Sequence, residues 1–131
     1  MFLDLLRRRN PEFVKTAMAL HQAGQIPANC YVLDLDMVER NARHMKHEAN
    51  KLGLKVFAMT KQVGRYPGMS QALIQGGIDA AVAVDMQCAR TACAGGLRLG
   101  HVGHLVQVPR HEAAAAASLR PDYWTVFSME K

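Results

Sequence analysis

Between residues 54 and 128 the sequence repeats one arrangement: an apolar, β-prone run followed by a stretch with helical character. The runs end near Thr60, Val84, Gln107 and Ser128, about 21 to 24 residues apart, the length of a short βα unit with brief loops. Strands are predicted over 54–60, 79–84, 101–108 and 123–128, and helices over 66–75, 86–94 and 111–119. Gly76-Gly77 and Gly95-Gly96 follow the first two helices, where residues able to take positive φ end a helix. Such a succession specifies a parallel sheet with right-handed crossovers. Four units alone fit either an open sheet or the first half of a closed barrel.

Three further elements precede the repeat. Asn10 and Pro11 have the cap and first-turn chemistry of a helix start, and Phe13, Val14, Ala17, Met18 and Leu20 form its apolar stripe until Gly24. Pro27 introduces a predicted strand over 30–35. A long helix follows, with Asp36 and Glu39 at capping-box spacing, an apolar face of Val38, Ala42, Met45, Ala49 and Leu52, and Gly53 as its stop.

Composition narrows the function classes. Half the residues are hydrophobic and 21% are charged, which suits a globular chain with a core. Sixteen basic against 11 acidic residues give a net charge of +5, but the one basic cluster, Arg7-Arg8-Arg9, lacks the interleaved aromatics of a single-strand nucleic-acid surface and reads as a solvated helix face. Neither nucleic acid nor membrane is expected as a partner, since no stretch approaches the ~20 apolar residues of a span. The opening residues place their charges after the apolar run, contrary to a signal peptide. Cys30, Cys88 and Cys93 are odd in number and have no CxxC spacing, so a reducing cytoplasm is expected, with neither a disulfide framework nor a zinc module.

Lys61 closes the run 54–60 and opens the polar turn Gln62-Val63-Gly64-Arg65-Tyr66-Pro67-Gly68, which puts an amine at the C-terminal end of a strand, where α/β enzymes build their sites. A lysine there commonly just projects into solvent, so its neighbourhood matters. Val56-Phe57-Ala58-Met59-Thr60-Lys61 resembles the first lysine-bearing strand of the fold-type-III pyridoxal-phosphate enzymes, the alanine-racemase-like family. Upstream, Cys30-Tyr31-Val32-Leu33-Asp34-Leu35-Asp36, with Asn41 in the helix after it, is similar to that family's opening strand and helix. Downstream, Ala81-Val82-Ala83-Val84-Asp85-Met86 and Ala94-Gly95-Gly96-Leu97 are similar to its next strand and helix. His101-Val102-Gly103-His104-Leu105-Val106-Gln107 resembles, more loosely, a strand that binds the cofactor near its pyridine ring. The likeness covers roughly residues 30–128 and is closest to a branch described as amino-acid racemases. Alanine racemases usually carry tyrosine four residues after the lysine, where this chain has Arg65.

The resemblance implies a (β/α)8 TIM-barrel fold, with residues 1–29 as a helical lead-in and 30–131 as roughly the first half of the barrel. A complete barrel needs about 250 residues, so the chain is expected to be an N-terminal portion of a longer protein. The resemblance further implies pyridoxal 5'-phosphate as cofactor, Lys61 as catalytic residue and internal aldimine lysine, and His104 as a cofactor contact. An amino-acid substrate, racemisation or related α-carbon chemistry, and a homodimer of the full-length form follow from it, with the isolated chain inactive. A partly desolvated lysine suits this chemistry, because burial disfavours the ammonium and leaves a nucleophilic amine. No metal site is expected: in a strand, residues three apart face opposite sides, which separates His101 from His104. A non-enzymatic pyridoxal-phosphate-binding protein and a small flavodoxin-like binding domain are the alternatives. Arg65 can balance an acidic group of substrate or cofactor.

Overall fold

Asn10 starts a helix as its position predicts. Its side-chain oxygen accepts the Phe13 amide at 3.2 Å, Pro11 fills the first turn, and helix α2 (Pro11–Gln22) follows a short α1 (Phe2–Arg9). The computed structural model describes residues 2–104 and 106–128 and divides into one unit up to Asp34 and another from Leu35. Within the first unit Asn10 also donates to Asp34 Oδ2 at 2.7 Å. The Ala23 amide closes α2 on the Ala19 carbonyl at 2.9 Å. Neither α1 nor α2 buries a residue, and their apolar side chains, among them Leu3, Phe13 and Val14, line an open groove of about 460 Å³. No strand forms over 30–35.

The second unit opens with α3 (Leu35–Lys51). Because α3 starts at Leu35, Asp36 lies inside its first turn rather than at the cap, and the Glu39 carboxylate pairs with Arg43 one turn on instead of reaching back. Gly53 ends the helix as expected, with the Leu54 amide returning to the Ala49 carbonyl at 2.9 Å. Residues 54–60 then run beside the sheet through a single parallel bridge, Ala58 to Ala81.

The remaining elements alternate: α4 (Pro67–Gln75), β1 (Ala80–Ala83), α5 (Met86–Ala94), β2 (Arg98–Val102), α6 (Ala113–Ser118) and β3 (Tyr123–Trp124). The strands form one parallel sheet in the order β1-β2-β3. One face packs on α4 and α5. Ala81, Ala92, Leu73 and Leu97 form one buried cluster, and Ala83, Ala89, Leu99 and Val102 belong to a second. Alanines dominate, and the largest fully buried side chains are Leu99 and Val102. The pairing slips by a residue between Ala81 and Val82, so that Gly100 has no partner on β1. Phe57 fills the space this leaves: a Cβ on Gly100 would stand 2.5 Å from its ring.

The barrel expectation is overturned. Among the described residues there are six α-helices and an open sheet of three short parallel strands, whereas a (β/α)8 barrel requires eight tilted strands closed on themselves. The strand expected over 30–35 is absent, 54–60 contributes one bridge, and the runs expected over 101–108 and 123–128 reduce to residue pairs near Val102 and Trp124. Nor does this sheet show the flavodoxin order, which reverses direction at a switch point; here each strand lies beside the next in sequence.

Candidate functional site

Parallel pairing brings the C-terminal ends of β1, β2, β3 and the 54–60 segment to one edge of the sheet. Lys61 lies at this edge, in a 3₁₀ turn spanning Lys61–Val63. The turn forms because the Thr60 carbonyl accepts two amides, from Val63 and Arg65, each at 3.3 Å. Lys61 is half-buried, and no hydrogen bond or ion pair engages its amine among the described residues.

Arg65, read from the sequence as able to balance an acidic group of substrate or cofactor, reaches across to α5. It is half-buried, with Nε donating to Cys88 Sγ at 3.0 Å and a terminal nitrogen 3.5 Å from Asp85 Oδ2. Its pKa is raised, first by the hydrogen bond to Cys88 and then by its Coulombic interaction with that residue, with burial opposing and Asp85 adding a smaller push upward. Asp85 also caps α5, its Oδ1 accepting the Cys88 amide at 2.6 Å. The cap was readable from an acidic residue directly before a helical run. The link from Arg65 to Cys88 joins residues 23 apart in sequence, with no pattern to announce it. Asp85→Ala is expected to cost about 1 kcal/mol by loss of the cap, whereas Asp85→Ser should cost much less; thermal melts of both variants check this.

The two histidines depart from the strand geometry predicted for them. Strand β2 ends at Val102, and Gly103 turns the chain at φ +81° with the Thr125 carbonyl only 2.7 Å from where a Cβ would stand. Gly103→Ala is therefore expected to destabilise by more than 1 kcal/mol, combining left-handed strain with that clash, as denaturant titration can measure. Because of the turn, the rings of His101 and His104 meet edge to face, 5.9 Å apart, rather than on opposite sides. No third metal-ligating residue joins them among the described residues.

His101 Nε2 and Thr125 Oγ1 are 2.7 Å apart, while His104 is exposed and makes no hydrogen bond among the described residues. Gln107 ties the same edge together, donating to the Thr125 carbonyl and accepting the Phe127 amide, each at 3.3 Å. Lys61 and His104 thus share an edge, but no hydrogen bond links them among the described residues. Sequence reasoning missed Thr125 and the bracing role of Gln107, whose signal is tertiary.

Burial, with a smaller contribution from His104, lowers the His101 pKa. The unfolded chain therefore binds a proton more readily at this position than the folded one, and stability falls as pH drops through the ordinary histidine range, levelling off below the lowered native value. A His101→Gln variant should show a shallower acid-side decline of melting temperature than wild type.

No protein-family model matches the chain. The Escherichia coli (strain K12) protein described as "Uncharacterized protein YhfX" is 37% identical to it over 131 residues. That match covers all of this chain and 34% of the relative, so the chain spans about a third of the relative's length. The matched region therefore spans both units. Among the described residues, no helix is long and apolar enough to cross a membrane.

Proposed function

We propose that this chain carries the cofactor lysine of a pyridoxal-phosphate-dependent enzyme acting at the α-carbon of amino acids, racemisation foremost, with Lys61 as the attachment residue. The observation supporting this reading is the setting of Lys61: a half-buried amine with no internal partner among the described residues, at the C-terminal edge of a parallel sheet. An amine so placed, partly enclosed and with no internal partner among the described residues, is available for covalent attachment to an aldehyde.

The donor set fits part of the cofactor. Lys61 would hold it, and His104, with His101 behind it fixed by Thr125, is the group available to its ring. Arg65 is engaged by Cys88 and Asp85 and is not assigned to the phosphate. When bound, pyridoxal phosphate supplies an electron sink for charge at the substrate α-carbon. Lys61 can hold or return a proton at that carbon when its amine is neutral. Racemisation needs a second proton donor on the opposite face, and it belongs to residues outside this chain in the present reading. A homodimer and a cytoplasmic setting are part of the same proposal, the latter supported by three free cysteines.

The reaction class is tested in the longest native polypeptide that carries these residues, supplied with pyridoxal phosphate and L-amino acids in deuterated water. Deuterium entering the α-carbon with wild type and not with Lys61→Ala is the expected result. Tight cofactor attachment without exchange would favour cofactor carriage, and exchange independent of Lys61 would sink the proposal.

A further inference from the structure

The turn that carries Lys61 is held from outside. Gly64 and Arg65 are consecutive left-handed residues, at φ +70° and +61°, and arginine rarely adopts that backbone. The conformation is retained where the Arg65 guanidinium crosses to α5, bonding Cys88 Sγ at 3.0 Å beside the Asp85 carboxylate at 3.5 Å. Cys88 is buried in the core cluster on β1 and β2, and Asp85 is fixed by capping α5, so both anchors are rigid.

We propose that Arg65 is the positioning residue of the Lys61 amine, fastening the Lys61 turn to the N-terminus of α5 so that the sheet and helix, rather than the turn itself, set where that amine points. The proposal deepens the reading of Lys61 as the attachment residue and rests on it for its functional meaning. Its structural content stands without cofactor. Arg65 touches neither substrate nor cofactor in this account; it acts through Lys61, where small displacements of a reacting group cost much of its effect.

The test measures the native reductive-methylation rate of each lysine by mass spectrometry, with exposed Lys15 and Lys51 as internal references. Arg65→Asn keeps a residue that tolerates left-handed backbone but is too short to reach Cys88. Asp85→Ser keeps the helix cap and removes the charge. In both variants Lys61 is expected to react faster by roughly threefold or more while the references stay constant, as for a locally released segment. Arg65→Lys should restore slow labelling only in part, because it lacks the planar fork of donors. Hydrogen exchange at the Val63 and Arg65 amides should rise in parallel.

An unchanged Lys61 rate in folded Arg65→Asn overturns the proposal. Should that variant unfold, raising every lysine together, Asp85→Ser decides, and an unchanged Lys61 rate there overturns it equally. A separate arm adds pyridoxal phosphate and borohydride to wild type. Failure to modify Lys61 in that arm sinks the cofactor reading, while the methylation rates still judge the positioning role.

Discussion

Pyridoxal phosphate is expected to give a visible absorption band with the wild-type chain and none with Lys61→Ala, whose melting temperature should stay nearly unchanged. The first part follows from chemistry: the alanine has no amine, and the arginine variant should fail as well, since a guanidinium stays protonated and is no nucleophile. The second follows from packing. Lys61 is half-buried and engages no polar partner among the described residues. Its removal leaves the neighbouring core residue Ala58 and the carbonyl of Thr60 in place, so the change should stay within about 0.5 kcal/mol. Absorption titration with parallel thermal melts checks both halves. A variant that keeps the band, or loses it only because it has unfolded, would count against the assignment.

Leu99→Ala should produce the largest loss of stability. Leu99 is 1% exposed and, with Val102, one of the largest fully buried side chains. Its buried cluster is rich in alanine, with Ala83, Ala89 and Ala116 among the members. Alanine side chains cannot swing to refill the space, so most of the cavity should persist, at a cost of about 2 to 5 kcal/mol. Against the roughly 5 to 15 kcal/mol that holds an ordinary domain together, this is a large share. Urea unfolding should show a lower midpoint at unchanged slope, whereas Leu52→Ala, 74% exposed in wild type, should barely move it. A Leu99→Ala cost below 1 kcal/mol would mean that the sheet is not packed on α5 as described.

Legibility in the sequence followed how local each signal is. Helix α5 runs over the expected residues because its cap, Asp85, and its stop, Gly95-Gly96, are neighbours in the chain. Helix α4 begins at Pro67, one residue inside the expected start, with Pro67 in its first turn and Gly76 after its last residue as the local signals. Strands fared worse, because an apolar run becomes a strand only when another backbone lies alongside it. The segment 30–35 has β-prone composition but no strand pairs with its backbone among the described residues, and β2 begins at Arg98 rather than His101 because Leu99 points into the α5 cluster. The positive φ of Gly103 then ends β2 where the run of Val102, Leu105 and Val106 had predicted continuation.

For the site, the lysine was visible as an amine at the end of a strand-like run, but its clamp was not. Arg65, Asp85 and Cys88 come together only after α4 and β1 have folded back on the turn. His101 and His104 were separated by an argument that assumed a continuous strand, and one glycine reversed it.

The central claim is that Lys61 is the attachment amine, and the most direct measurement is to map the modified residue. The chain is incubated with pyridoxal phosphate, treated with borohydride, digested and sequenced by mass spectrometry. One dominant stable adduct is expected, on Lys61, formed at cofactor concentrations that leave the exposed Lys51 and Lys55 largely unmodified. An adduct spread evenly over the lysines, or concentrated on Lys46, Lys51 or Lys55, would contradict it.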